Sequence, residues 1–302
     1  MNLPLAKTRT MNNPQQPAYV APASLAELAA KLDTYKQAKL MCGGTDLLVQ
    51  LHSGALKAQT IIDVKKIPRL RELTIGRQGL TIGAAVTCSE IAERKELMTT
   101  YPGLVDAVKL IGSVQIQNRS SIGGNLCNGS PAADTIAVLI ANDARCTIHS
   151  LQGERTVAVE DIVTGPGETV LGSDEFLVDI KLPPGAPASA DAYLRLIPRS
   201  EMDIAVAGAA VRLSVNEEGI CSAARVAISA VSPRSVLVED GARAIIDSKL
   251  DEKSLSRLMQ AVRDAADPIS DMRGTREYRQ HVIGELSKRA ALIARERAMM
   301  NR

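Results

Sequence analysis

A chain of 302 residues has room for two domains. With 45% hydrophobic and 23% charged residues and a formal net charge of +2, it has the composition of an ordinary globular protein and no polyelectrolyte partner is implied. Five Tyr, one Phe and no Trp are too few rings to build stacking platforms, which argues against nucleic acid as a partner.

The opening MNLPLAKTRTMNNPQQP lacks the apolar core of a signal peptide. Residues 1–16 read as a disordered lead-in, with Met11 as an alternative start. Ser24 and Glu27 form a capping box for a helix over 25–35, whose apolar residues Leu25, Leu28, Ala29 and Leu32 recur at helical spacing. A strand over 39–41 runs into Met41-Cys-Gly-Gly-Thr-Asp-Leu47. A short helix over 47–51 and a strand over 60–64 follow. Two strands are predicted at 71–75 and 80–82, a helix capped by Ser89 running to Leu97, and another over 104–111. The stretch RSSIGGNLCNGSPAAD (119–134) reads as a loop, and Ser130-Pro131 as the N-cap and first residue of a helix ending near Ala141. Strands are expected at 145–149, 155–159 and 176–181, with Gly165-Pro-Gly167 as a turn.

Pro183 to Pro187 reads as a linker. Beyond it come strands at 192–197, 205–215 and 223–230, then helices at 255–266 and 276–300. Strands followed by helices indicate an α+β arrangement. No apolar run reaches the roughly 18 residues of a membrane span. Cys42, Cys88, Cys127, Cys146 and Cys221 form no C-x-x-C pair and the three histidines are scattered. The chain is therefore expected to hold no metal and to carry reduced thiols in the cytoplasm.

Two glycine pairs carry the functional signal. Main chain can approach a diphosphate only where side chains are absent, and a helix start offers free N–H groups. Gly43-Gly44, followed by Thr45, has these features, as does Gly123-Gly124 between Ser121 and Asn125. Asn128 can donate to phosphate or ribose oxygens, and Asp134 can accept from a ribose hydroxyl or an adenine amine. Each loop alone reads more readily as a tight turn, and Asp134 as a helix-start residue. Together they suggest one dinucleotide held between two loops. There is no G-x-G-x-x-G after a strand and no G-x-x-x-x-G-K-[ST], which disfavours a Rossmann fold and a P-loop. His52 is a remote candidate for tethering a ring. Arg195, Arg199 and Asp203 can equally meet phosphate or pair on the surface.

The pair MCGGTDLL (41–48) and SSIGGNLCNGSPAADT (120–135) resembles the FAD-binding subunits of the molybdenum hydroxylases, the xanthine dehydrogenase and carbon monoxide dehydrogenase family. The likeness continues through GPGETVLGSDEFLVDIKLP (165–183) and AYLRLIPRSEMDIAVAGAAVRL (192–213). It implies a vanillyl-alcohol-oxidase-like (PCMH-type) FAD-binding domain over 17–187, in lobes of about 17–68 and 69–187. A C-terminal α/β domain of the carbon monoxide dehydrogenase flavoprotein type would cover 188–302. By this resemblance Met41, Cys42, Gly43, Gly44, Thr45, Asp46 and Leu47, with Ser121, Ile122, Gly123, Gly124 and Asn125, bind the FAD diphosphate. Asn128 and Asp134 complete the grip, Leu171 lies near the isoalloxazine, and Arg195 stands where many relatives have Lys. The family also implies a small partner subunit with two [2Fe–2S] clusters, a large partner carrying the molybdopterin cofactor, and a dimer of such heterotrimers. Electrons would pass through FAD to NAD, oxygen, quinone or a dye, and no residue of this chain is named as a catalytic acid or base. A stand-alone flavin oxidase of the same fold and a non-enzymatic assembly subunit are the alternatives.

Overall fold

The computed structural model describes residues 17–301. The lead-in over 1–16 and the alternative start at Met11 lie outside the described residues. Three sheets of three, five and four strands, with a two-stranded hairpin, succeed one another along the chain. The first is parallel. It is built by β1 (Ala18–Val20), α1 (Leu25–Thr34), β2 (Ala38–Met41), α2 (Leu47–His52) and β3 (Thr60–Asp63), with β3 between the other two strands. All of β3 is buried, as a central strand of a parallel sheet should be. At the start of α1, Ser24 accepts the Glu27 N–H at 3.1 Å. The Glu27 carboxylate, however, accepts the N–H of Ala23 at 2.9 Å, one residue before the cap.

The second sheet is antiparallel. β4 (Leu73–Gly76), β5 (Gly79–Gly83), β6 (Arg145–Ser150), β7 (Gly153–Ala158) and β10 (Phe176–Leu182) lie in the order β4-β5-β10-β6-β7. Six short helices are inserted between β5 and β6: α3 (Cys88–Glu93), α4 (Lys95–Thr100), α5 (Pro102–Lys109), α6 (Val114–Gln117), α7 (Ile122–Cys127) and α8 (Asp134–Ala141). Two expected caps are not caps. Thr87, not Ser89, caps α3, because Thr87 and Glu90 complete a reciprocal capping box. Ser130-Pro131 does not open α8, which begins at Asp134 behind Ala133. Ser130 closes a turn instead, its carbonyl accepting the Ala133 N–H at 3.0 Å and its hydroxyl accepting the Ala132 N–H at 3.3 Å. The stretch expected as loop contains α7, capped by Ser121. The turn at Gly165–Gly167 joins β8 (Val163–Gly165) to β9 (Glu168–Thr169).

The third sheet holds β11 (Ser189–Leu196), β12 (Ala207–Val215), β13 (Cys221–Ser229) and β14 (Val236–Leu237), antiparallel in chain order. The helices α9 (Glu239–Ile245), α10 (Glu252–Ala265) and α11 (Arg276–Met300) follow. α11 packs on β11 and β12, burying Ser287, Ala290, Ala291, Ala294 and Ala298, while the strands offer Ala190, Ala192, Ala207 and Ala209. Small residues on both surfaces let helix and sheet backbones come close.

A buried polar seam joins this sheet to the helices of the second unit. Asp191, fully buried on β11, accepts from the Gly103 N–H at 2.8 Å and the Asn142 amide at 2.7 Å. Arg212 donates to the Asn142 carbonyl oxygen at 2.5 Å and lies 5.6 Å from the centre of the Tyr101 ring. Arg297 bonds Asp106 at 2.7 Å and the Asp191 carbonyl at 3.0 Å. Asp191→Ala would leave two buried donors unpaired and is expected to cost roughly 2–4 kcal/mol in a denaturant titration. Asp33→Ala, which removes an exposed partner of Lys36, should stay within about 0.5 kcal/mol.

Candidate functional site

A cleft of about 790 Å³ opens where the three units meet. Segments 39–47, 111–134, 167–177 and 195–204 contribute to its walls. Met41, Cys42, Gly43, Gly44, Thr45, Asp46 and Leu47 line it, as do Ser121, Gly123, Gly124, Asn125, Asn128, Asp134, Leu171 and Arg195. Ile122 does not; its side chain is fully buried in the core behind the loop. His52 does not line the cleft either, and its ring nitrogen contacts Leu48 O in its own helix at 2.8 Å.

The four glycines serve different purposes. A Cβ on Gly43 would lie 1.8 Å from Arg119 O, and one on Gly123 would lie 2.5 Å from Ala84 O. At both positions protein main chain occupies the side-chain space. Gly44 has φ +78°, a left-handed conformation that glycine adopts without strain. At Gly124 only the Ser121 hydroxyl comes within 4 Å of the Cβ position, so this is the glycine that leaves the cleft open.

Hydrogen-bond accounting separates the loops further. In the second loop, Ile122 N–H donates to Val86 O at 3.2 Å, Gly123 N–H to Ala84 O at 3.1 Å and Gly124 N–H to Ser121 Oγ at 3.1 Å. These donors, expected to face a diphosphate, are engaged with protein. In the first loop, the N–H groups of Gly43, Gly44, Thr45 and Asp46 meet no acceptor among the described residues. Asp46 precedes α2 without a side-chain cap bond. Unpaired main-chain donors at a cleft floor are an anion site in waiting. From the second loop come side-chain amides. Asn125 accepts from Thr135 at 2.6 Å through its oxygen, which leaves its NH₂ available, and Asn128 has no side-chain partner among the described residues.

Asp134 is buried, and both its oxygens are engaged. Oδ1 accepts from Tyr193 OH at 3.0 Å and Oδ2 from Arg195 Nη1 at 2.6 Å. Burial pushes the Asp134 carboxyl up, and the bonds from Arg195 and Tyr193 oppose that shift. Tyr193 is held well above its ordinary range by burial and by the adjacent carboxylate. Arg195 also donates Nη2 to Leu110 O at 2.6 Å, while its buried Nε has no partner. That nitrogen is sealed from solvent. Arg199 and Asp203 form an exposed pair at 3.2 Å.

Sequence reasoning did not assign Met202, Ile204, Ile116, Gly167 or Glu175 to this site, although all but Ile116 lie within the stretches that carry the resemblance. Glu175 holds the turn that carries Leu171. It takes Arg155 Nε and Nη2 at 2.7 Å each and accepts the Gly172 N–H at 2.8 Å. The Arg155 bonds are the main reason its carboxyl falls to about 2.

These features describe a cleft whose main-chain donors suit an anion, and the comparisons with known proteins show the family the chain belongs to. Residues 11–185 match the FAD binding domain in molybdopterin dehydrogenase, and residues 192–294 match the CO dehydrogenase flavoprotein C-terminal domain. The xanthine dehydrogenase FAD-binding subunit of Escherichia coli is 31% identical over 274 residues, covering 90% of this chain and 94% of the relative. The carbon monoxide dehydrogenase medium chain of Hydrogenophaga pseudoflava is 30% identical over 273 residues, covering 90% and 94%. Among solved structures, carbon monoxide dehydrogenase from Hydrogenophaga pseudoflava superposes with a TM-score of 0.89 at 29% identity, covering 93% of this chain and 98% of that one. Quinoline 2-oxidoreductase from Pseudomonas putida 86 gives 0.87 at 26% identity, covering 94% and 98%. The chain belongs to the FAD-binding subunit family of the xanthine and carbon monoxide dehydrogenase type. Among the described residues no cluster of His, Cys, Asp or Glu could hold a metal ion, and no helix is long and apolar enough to cross a membrane.

Two predictions follow from the geometry. Gly43→Ala forces main chain apart at Arg119 and should destabilise the fold by about 2 kcal/mol or more, whereas Gly124→Ala should cost under about 1 kcal/mol; paired urea titrations compare them. For Glu175, the lowered carboxyl means the Arg155 pairing stabilises fully above the ordinary glutamate range and is lost as pH falls toward about 2. Glu175→Gln should therefore lack an increment of stability that the parent loses between about pH 5 and about pH 2, read as the difference in urea midpoints across that range.

Proposed function

We propose that this chain is the FAD-carrying electron-transfer subunit of a multi-subunit molybdenum hydroxylase. It would accept electrons from the [2Fe–2S] clusters of a small partner and pass them to an external acceptor. A large partner would carry the molybdopterin cofactor, and two such heterotrimers would pair. The observation that carries the reading is the row of unpaired N–H groups at Gly43–Asp46, on residues that line a cleft also lined by Asn125 and Asn128. Those donors fit a diphosphate, and the open side of Gly124 fits its close approach.

When bound, FAD would supply the redox chemistry. This chain's residues have three tasks. The first loop offers N–H dipoles to the diphosphate, and Thr45 can add its hydroxyl. Asn125 and Asn128 can donate to phosphate or ribose oxygens from the opposite wall. The Asp134–Arg195 pair, backed by Tyr193, ties the C-terminal unit to the cleft wall. Leu171 and the neighbouring Leu177, Ile111 and Met202 supply the apolar surface a flavin ring needs.

The purified protein is expected to show the visible absorption band of bound flavin and to co-purify with an iron–sulfur subunit and a molybdenum subunit. Gly124→Val should lower FAD occupancy at least about tenfold while circular dichroism stays unchanged, since the added methyls enter the cleft. Full flavin retention in that variant would overturn the placement of the diphosphate. Isolation as a flavoprotein that oxidises a substrate without partners would favour the stand-alone oxidase instead.

A further inference from the structure

The first loop is held from behind by residues outside the cleft. β2 and β3 pair in parallel with Met41 opposite Asp63, and the Val64 N–H donates to Met41 O at 3.1 Å. That register brings the residues just past the two strand ends together, Cys42 and Lys65, although 23 positions separate them. Lys65 Nζ donates to Cys42 O at 2.9 Å, and to the two Asp63 oxygens at 2.8 and 2.7 Å. Tyr19 OH completes the cluster by donating to Asp63 Oδ2 at 2.7 Å. Burial pushes the Asp63 carboxyl up, but the bonds from Lys65 and Tyr19 outweigh it and keep the group below its ordinary range.

Every described peptide bond is trans, so the Cys42 carbonyl and the Gly43 N–H point in opposite directions. Cys42 and Gly43 line the cleft and Lys65 does not. With the carbonyl held toward Lys65, outside the lining, the Gly43 N–H points away from that side. The next carbonyl, that of Gly43, has only a 3.5 Å contact with Arg119, at the limit of a hydrogen bond. Lys65 therefore provides the firm hold on the peptide entering the loop.

We propose that Lys65 is a positioning residue for cofactor binding: it sets the Cys42–Gly43 peptide so that the Gly43 N–H is presented to a diphosphate oxygen. The Lys65 charge is matched by Asp63 behind the loop, so it acts through the peptide rather than on the ligand. This rests on the flavin reading above.

The test uses the full chain stripped of flavin, with FAD, ADP and riboflavin as probes. The variants are Lys65→Met combined with Asp63→Asn, which removes both charges together, and Lys65→Arg, which keeps a donor for the carbonyl. In the double variant the Kd for FAD and for ADP should rise about tenfold, the worth of one hydrogen bond. The Kd for riboflavin, which has no diphosphate, should not move. Lys65→Arg should bring the FAD Kd back to within about threefold of the parent. An unchanged FAD Kd in the double variant overturns the proposal while leaving the flavin site standing. Equal weakening of FAD and riboflavin also overturns it, because a merely structural lysine would give that result. A parent chain that binds neither FAD nor ADP sinks the flavin reading itself, and this proposal with it.

Discussion

Main chain meets main chain at Gly43, and the site exists because nothing stands between. The Arg119 carbonyl fills the space where any other residue would carry a Cβ. The first sheet and the second share no strand pairing, so contact of this kind sets how their loops face each other. A second such contact, Gly123 on Ala84, seats the start of α7 on the exit of β5, and the bonds of Ile122 and Gly123 to Val86 and Ala84 lock it there. Close packing transmits such constraints over several residues, because interiors have few voids to absorb a shift. Residues 43–46, whose N–H groups meet no acceptor among the described residues, line the cleft beside this contact.

The electrostatics of the cleft follow from where the charges are already spent. Arg195 is paired with Asp134, and the acidic Asp46, Glu175 and Asp203 also reach the lining, so the cavity is not a basic funnel. A diphosphate would be met chiefly by neutral N–H dipoles and amides. Such donors discriminate by geometry and reach, where a lysine cluster would take any polyanion. The C-terminal sheet takes part through the same pair: Asp134 opens α8, while Tyr193 and Arg195 lie on β11. A cofactor contact with Arg195 would therefore bear directly on the junction between the two units.

Much of this was readable from residues alone. The α11 helix over 276–300 and most strand positions agree with expectation; α11 buries mainly small residues, Ser287, Ala290, Ala291, Ala294 and Ala298, at helical spacing. Both glycine loops were found, since glycine pairs beside short polar residues have few uses. The misreadings have local physical causes. Ser130-Pro131 carries the same chemistry in a turn as at a helix start, and only the residues after it decide between them. In α7 the paired glycines hid a helix that survives because Ser121 caps it and the core holds Ile122 and Leu126. β1 and β14 are too short to leave a pattern.

What the glycines were for could not be read at all. The same absent side chain accommodates a neighbouring carbonyl at Gly43, a left-handed turn at Gly44 and the capping hydroxyl of Ser121 at Gly124, and a sequence writes all three with one letter. The same holds for residues behind the loop. Lys65 has nothing local to mark it, and its relation to Cys42 comes from strand register, which is a property of the sheet. In a parallel sheet every strand ends at the same edge, so the residues just beyond those ends collect around one crevice. A ligand loop on one strand can then be held by the strand beside it. The cleft at the carboxyl end of β2 is a case of that geometry, with the loop on one strand and its support on the next.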